Sequence, residues 1–442
     1  MKKKKRKCIK SSQQSLSSTN SIIITEPEFY LPEDCWEHVL SFIINPLDDG
    51  SQYIKSLSLV SKQFLSITNR LLFSLRIYHP QLCFLYRFFH RFSNLNSLDL
   101  WFSSRDLHPD IALALRDRPT LKSLSIFGID LKGPNYVTSQ YIDSFVSLKG
   151  LISLKIHCSQ ISDDFLCSFA RQGLSFKSFI LKNCTGYNYP GIYGLLSKCG
   201  AIQHLSLQPV DFLNNHHVFQ LSLLLPGLIS INLSQNSNLT KLALFALIKN
   251  CHSLNEITME NIYNFGGESV ENSDIMKDFN VNPQLKFLHF SNNSLIKDEI
   301  LILFASIFPN LQLLDLTFCY RISEKGICHV LSRCCELRHL TLDSCFRVRG
   351  LKMNFTVHQL EVLDLSNTKV DDRTLYEISK SCFGLLKLLL TFCEYVTEKG
   401  VIHVVKNCTQ LKEIYLILCD DNVNVDLIVS TFSSRPSLRV FS

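Results

Sequence analysis

A six-residue pattern, LxxLxL with Ile or Phe sometimes in place of Leu, returns along this chain at a nearly fixed interval. Its copies begin at Leu95, Leu121, Leu151, Phe176, Ile202, Leu228, Leu254, Leu285, Leu311, Leu337, Leu360, Leu385 and Leu411, and a truncated one, LRVFS, begins at Leu438. Seven of the thirteen intervals are 26 residues, and the others lie between 23 and 31. No other feature restricts the fold as much. A unit this short cannot bury an apolar face alone and must stack on its neighbours.

Each unit changes period half-way. In LQLLDLTFC, Leu311, Leu314 and Leu316 share one side, the alternation of a strand with one buried face. Further on, Ile327, Val330, Leu331 and Cys334, and in a later copy Val401, Val404, Val405 and Cys408, stand at i, i+3, i+4 and i+7, the buried stripe of a helix. Ser323 and Thr397 are placed as N-caps, with Glu324 and Glu398 in the favourable first turn. One strand and one helix in about 26 residues describe a leucine-rich repeat. The expected fold is an α/β solenoid, a horseshoe with parallel inner strands and outer helices.

Cysteine usage follows the same period. Eight residues after a repeat start stand Cys184, Asn236, Asn293, Cys319, Cys345, Cys393 and Cys419. A small hydrogen-bonding side chain there can turn inward and satisfy loop backbone groups. Cys199, Cys251, Cys334 and Cys408 fall twenty-three residues in, with Cys382 at twenty-two. The sequence resembles the cysteine-containing class of leucine-rich repeats over about 95–442. The paired stretches LTFCYRISEKGICHVLSRCCE and LTFCEYVTEKGVIHVVKNCTQ therefore read as scaffold written twice. No CxxC occurs, and neither a metal nor a cofactor is expected.

Seventeen cysteines without a small-domain framework point to a reducing compartment, and no apolar run approaches membrane-spanning length. The net charge of +6 is local: MKKKKRKCIK holds seven Lys and Arg and no acid, which leaves the rest near −1. A nucleic-acid-binding body is not expected. Lys3, Lys4, Lys5, Arg6 and Lys7 match a monopartite nuclear localisation signal or, equally, a solvated basic tail continued by SSQQSLSSTNS. Nucleus or cytoplasm, or both, are the expected locations. The domain reading is a basic and Ser-rich tail at 1–28, a helical module at 29–78, a helical linker at 79–94 and the array at 95–442.

The motif-bearing part of the module is LPEDCWEHVLSFIINPLDDGSQYIKSLSLVSKQF. Pro32, Glu33 and Asp34 suit a first helical turn, and Cys35, Trp36, Val39, Leu40 and Ile43 give helical spacing. A second helical pattern runs through Tyr53, Ile54, Leu57, Val60, Phe64 and Ile67. The apolar content exceeds what so small a core needs, which suggests a docking face. The stretch LPEDCWEHVLSFI followed by LSLVSKQF resembles the F-box, in its plant form. The whole chain resembles plant F-box/leucine-rich-repeat proteins. That resemblance implies a three-helix module that binds the Skp-type adaptor of SCF ubiquitin ligases, and through it the cullin and RING subunits. Leu31, Pro32, Val39, Leu40, Leu59, Val60, Lys62 and Phe64 fall on the motif's adaptor-facing and core positions. Phe64 replaces a tryptophan common in animal members, and NPLDDGSQY lengthens the first inter-helix loop. The alternative is a scaffold protein whose helical segment only caps the array.

No phosphate-cradling or nucleophile motif is present, so the expected role is a non-catalytic substrate receptor for a protein target. Residues four and six after each repeat start should face away from the core. They include Trp101, Phe127, His157 and Lys182 toward one end and Glu260, Asp315, Asp343 and Asp364 toward the other. The expected target surface runs along this wall, with an aromatic anchor at one end and a basic target segment against the acids.

Overall fold

The computed structural model describes residues 31–44, 51–78, 82–102, 108–116, 118–131, 136–266, 281–417, 427–428, 430, 435 and 437–441. Lys3, Lys4, Lys5, Arg6, Lys7 and Cys419 lie outside the described residues. Two compact units are present, 1–71 and 72–442.

The first unit holds three helices, α1 (Glu33–Ile43), α2 (Ser51–Ser58) and α3 (Lys62–Leu71). Pro32 is the N-cap of α1, and Glu33 and Asp34 complement the positive end of its dipole. Leu40, Ile44, Ile67 and Leu71 form the core, with Trp36, Ile54, Leu57 and Phe64 packed against it. The rings of Trp36 and Phe64 lie 4.9 Å apart. Arg70 on α3 donates to Glu33 at 2.8 Å and to Glu37 at 3.0 Å, tying α3 to the start of α1. The second helical pattern is not continuous: Leu59 and Val60 form a turn, and Ser61 Oγ accepts the Phe64 N–H at 3.1 Å to start α3. Two of the expected adaptor-facing residues need correction. Leu40 is 1% exposed and is part of the core, and Phe64 is half-buried against that core.

The second unit is one parallel sheet whose strands follow chain order. Among the described residues these are β1 (Ser74–Tyr78), β2 (Ser97–Trp101), β3 (Ser123–Phe127), β4 (Ser153–His157), β5 (Ser178–Lys182), β6 (His204–Gln208), β7 (Ser230–Asn232), β8 (Glu256–Thr258), β9 (Phe287–His289), β10 (Leu313–Asp315), β11 (His339–Thr341), β12 (Val362–Asp364), β13 (Lys387–Leu389), β14 (Glu413–Tyr415) and β15 (Arg439–Phe441). One face is the core, where residues such as Leu98, Leu124, Leu154 and Phe179 are fully buried. A run of buried rings continues it, Phe145, Phe165, Phe169 and Phe176 edge to face and Phe179 stacked on Phe176.

Three differences from the expected array have clear causes. The sheet starts before residue 95: β1 pairs with β2 in register from Ser74 and Ser97, and the helix Leu82–Arg91 joins them. The segment expected as a linker is thus part of the first repeat. At the other end Val440 aligns with Ile414, so the last repeat begins at 437 rather than at Leu438. A slip of one residue exchanges the two faces of a strand. Finally, the 23-residue repeat between β11 and β12 has turns and bends in place of a helix.

Neighbouring helices are locked by a device that the spacing did not reveal. Asp298 opens the helix Asp298–Ile307, and its Oδ1 accepts the backbone N–H of Ser323, the next helix's N-cap, at 2.8 Å. Ser323 Oγ donates to Oδ2 at 2.6 Å. Asp372 holds Thr397 identically, and Asp163 accepts from Asn188 N–H at 2.8 Å. Gly326 is the third residue of the helix Glu324–Arg333, and a Cβ there would lie 2.6 Å from Asp298 Oδ1. The glycine of the duplicated EKG is present because the carboxylate occupies its side-chain space. Gly326→Ala should therefore destabilise the array by about 1–3 kcal/mol, although Ala is intrinsically the better helix former. In an Asp298→Ala background most of that loss should disappear, which urea unfolding of the double-mutant cycle would measure.

Candidate interaction surfaces

The open face of the sheet is presented by side chains that staple each repeat to the one before. Asn236 Nδ2 donates to Leu207 O at 2.8 Å and Leu233 O at 2.7 Å, while its Oδ1 accepts the Val210 N–H at 2.6 Å. Asn293 repeats this with Met259, Phe290 and Ile262. Where Cys replaces Asn, the thiol donates to the same carbonyl of the preceding repeat: Cys184 to Ile156 at 3.2 Å, Cys319 to Phe290 at 3.4 Å, Cys345 to Leu316 and Cys393 to Leu365 at 3.1 Å. Burial pushes the Cys184 thiol up to about 11 and that of Cys319 to about 12, so both stay protonated donors. The helix-end cysteines act alike, with Cys334 donating to Phe308 O and Cys408 to Cys382 O. Such a residue recurs in most strand-and-helix units, and where Ile129, Val210 or Ile262 stands in its place the backbone N–H donates to Ser159, Asn236 or Asn293 of the next repeat. The chain is a leucine-rich-repeat protein.

Trp101, Phe127, His157 and Lys182 are consecutive partners on β2, β3, β4 and β5, preceded by Tyr78 on β1. Trp101 and Phe127 stack at 3.8 Å and 8°, and Phe127 and His157 at 4.4 Å and 8°. Burial, then Lys182 and Lys155, hold the imidazole of His157 below its ordinary pKa. Next along the face is a hollow of about 230 Å³ whose lining mixes Ile180, Leu205 and Ile231 with small polar side chains such as Ser206, Ser230, Asn232 and Thr258.

The acidic residues lie beyond it. His289, Asp315, Thr341 and Asp364 are aligned on β9 to β12, with Glu260 and Asp343 on the turns that follow β8 and β11. Glu260, His289 and Asp315 each bring one ligand atom within 4.8 Å of the others, a donor set of one nitrogen and two oxygens. His289 Nε2 is also 3.6 Å from Glu256. Asp315 Oδ1 accepts from the N–H and hydroxyl of Thr317, and Asp364 Oδ1 from the Ser366 N–H. Burial, with Asp343 and Asp315 nearby, pushes the Asp364 carboxyl above its usual range. The two expected groups are thus separate surfaces on one sheet.

One feature escaped the sequence reading, and another was read without its exposed Phe42. One is a row of exposed rings on the strand-to-helix turns. Tyr320 and Phe346, 26 residues apart, stack at 5.5 Å and 3°, with Phe318 edge-on to Tyr320. Phe392 stands exposed farther along. The other is in the first unit, where Phe42 is 72% exposed beside Val39 and Ile43 on α1. Leu59 and Val60, in the turn before α3, are 77% and 63% exposed, and Leu31, Pro32 and Lys62 are also exposed.

No protein-family model matches the chain. It is 32% identical over 126 residues to Antagonist of mitotic exit network protein 1 of Eremothecium gossypii, an alignment covering 26% of this chain and 31% of that protein. The chain thus spans about a third of the length of that curated relative. Among solved structures, the complex of Rad7 and Elc1 in yeast matches at 16% identity and a TM-score of 0.45, over 92% of this chain and 93% of the other. An internalin, InlF, of Listeria monocytogenes matches at 16% identity and a TM-score of 0.42, over 83% and 94%. Among the described residues no helix is long and apolar enough to cross a membrane.

The state of Asp364 sets a pH dependence. Its folded pKa is raised, so between the unfolded value of about 3.9 and the folded one the native state binds more protons, and its stability falls as pH rises. Asp364→Asn keeps an acceptor for Ser366 and removes the charge. It should be more stable than the parent at neutral pH, with the difference closing as pH falls toward about 4. Urea unfolding at several pH values checks the sign.

Proposed function

We propose that the chain is the substrate-recognition subunit of an SCF-type E3 ubiquitin ligase, its first unit docking a Skp-type adaptor and its array holding a target protein. The observation that carries this is the apolar surface of a three-helix unit whose core is already complete without it. α1 has two stripes: Trp36 and Leu40 face the core, while Val39, Phe42 and Ile43 face out. Leu59 and Val60 add a second exposed apolar group. Burying each such side chain in a partner is worth about 1.5–3 kcal/mol, so five suffice for firm docking. Leu31, Pro32, Val39, Leu59, Val60 and Lys62 are then the adaptor-facing set, widened by Phe42 and Ile43. The chain performs no bond chemistry in this reading and accelerates transfer by holding the target near the charged partner. The basic run Lys3, Lys4, Lys5, Arg6 and Lys7 is in this reading a nuclear address.

The test uses surface rather than core changes. Phe42→Asp with Leu59→Asp should reduce capture of a purified Skp-type adaptor by orders of magnitude, at about tenfold per 1.4 kcal/mol, while circular dichroism stays that of the parent. Leu40→Asp should instead unfold the first unit, since it places a charge in the core. Adaptor capture unchanged by the surface pair, or absent from the unaltered chain, would sink the receptor reading and favour the capped scaffold.

A further inference from the structure

The wall over β9 to β12 departs from an ordinary solvated sheet face in three parallel rows. Its first row is the half-buried Phe287, Leu313 and Val362 with the exposed His339, mostly apolar where polar residues are the norm. Its second is His289, Asp315, Thr341 and Asp364. The third, on the turns, adds Asp343 and the rings of Phe318, Tyr320 and Phe346. No Lys or Arg stands in the two strand rows, and among the described residues no Lys or Arg pairs with Glu260, Asp315, Asp343 or Asp364.

The carboxylates are also half spoken for. In Asp315, Asp343 and Asp364, Oδ1 is engaged within its own turn, by Thr317, Ser344 and Ser366. Each leaves one oxygen for a ligand, Asp315 and Asp364 standing two strands apart, about 9.6 Å, with Asp343 on the turn after the strand between them. That array suits a planar fork of donors spanning two carboxylates better than it suits a compact point charge. The Tyr320–Phe346 plane begins three residues beyond Asp343, within about 11 Å of chain, and an aromatic face there favours a flat cation.

We propose that this wall docks an extended target segment carrying arginine, its guanidinium bridging Asp343 to Asp315 or Asp364 beside the Tyr320 and Phe346 rings, with neighbouring apolar residues on Phe287, Leu313 and Val362. This rests on the receptor reading for its biological meaning and narrows the target class from basic to arginine-bearing. The partner is a protein segment, and specificity comes from the planar group.

The intact chain, immobilised, is used to select from a random twelve-residue peptide display library, and the strongest sequence is synthesised with each Arg replaced by Lys or by citrulline. Arginine enrichment is expected, with affinity falling about tenfold for Lys and further for citrulline. The variant Asp315→Asn with Asp343→Asn and Asp364→Asn should lose the enrichment, and Tyr320→Ala with Phe346→Ala should erase the preference for Arg over Lys. Selection of peptides without Arg, Lys as good as Arg, or identical selection by the triple Asn variant would overturn the proposal. So would tight uptake of Zn²⁺ by the parent, lost in His289→Ala, with no peptide enrichment, because the wall would then be a metal site. Adaptor capture is measured on the same preparations. If it fails while arginine selection holds, the ligase reading falls and this one stands.

Discussion

Every surface on the array depends on how the turn after each strand satisfies its backbone. A chain leaving a parallel strand toward a buried helix carries polar groups into an apolar interior, and each unpaired one costs about 1–3 kcal/mol. Asn236 answers with two donors and an acceptor, stitching Leu207 O and Val210 N–H of the preceding repeat. Cys319 answers with one thiol that donates to Phe290 O and faces the Asn293 N–H. The bond always reaches back one repeat. Register is therefore transmitted along the sheet, and residues 26 apart in sequence become neighbours on its face.

That dependence explains what the sequence disclosed. Burial is repeated, so Leu311, Leu314 and Leu316, and the stripe Ile327, Val330, Leu331 and Cys334, leave a period, and all seven are buried. The caps Ser323 and Thr397 were legible because capping needs a short side chain with an accepting oxygen at one position. The first repeat was also written, as LFSLRI from Leu72, 23 residues before Leu95. Its apolar spacing continued that of the preceding helix, and a strand that comes directly after α3 offers no turn residues to mark the change. Val440 was misplaced because Ser437 and Ser442 stand where this register calls for Leu, while Leu438 lies one residue off it. The Asp298–Ser323–Gly326 lock left no apolar signature at all. It is an interaction between repeats, visible only when the two helices lie side by side.

The candidate surfaces were half legible for a related reason. Alternation gives the exposed positions, so Trp101, Phe127, His157 and Lys182 could be assigned to one face. The ridge of rings could not, because its placement needs a backbone state. Seven residues into ten repeats φ is positive: Gly128, Cys158, Asn183, Gln235, Asn261, Asn292, Phe318, Ser344, Asn367 and Phe392. Gly and Asn adopt this readily, whereas Phe318 at φ 60 and Phe392 at φ 59 each cost about 1–2 kcal/mol. Both are held there by N–H donation to the next repeat, Phe318 to Asp343 O at 2.9 Å and Phe392 to Ile417 O at 3.0 Å. Strain concentrates where rings are presented to solvent, which is where a binding surface would retain it.

Charge is distributed along the face on a scale that matters for recognition. Lys182 is on β5 and Glu260 comes after β8, three strands farther on, a separation of about 14 Å at 4.8 Å per strand. Screening in physiological salt acts over about 8 Å, so the basic and acidic halves contribute nearly independent fields. Within the acidic half, burial raises the Asp364 pKa, and the neighbouring Asp343 and Asp315 carboxylates add to that rise. An isolated carboxylate on an exposed strand binds little. Three held together by turns that each consume one of their oxygens form a surface that a cation stabilises, and the stacked aromatic end offers no such relief. A ligand lying along the sheet, as proposed, would meet two unlike contacts, with the acidic contact responding to salt and the aromatic one largely indifferent to it.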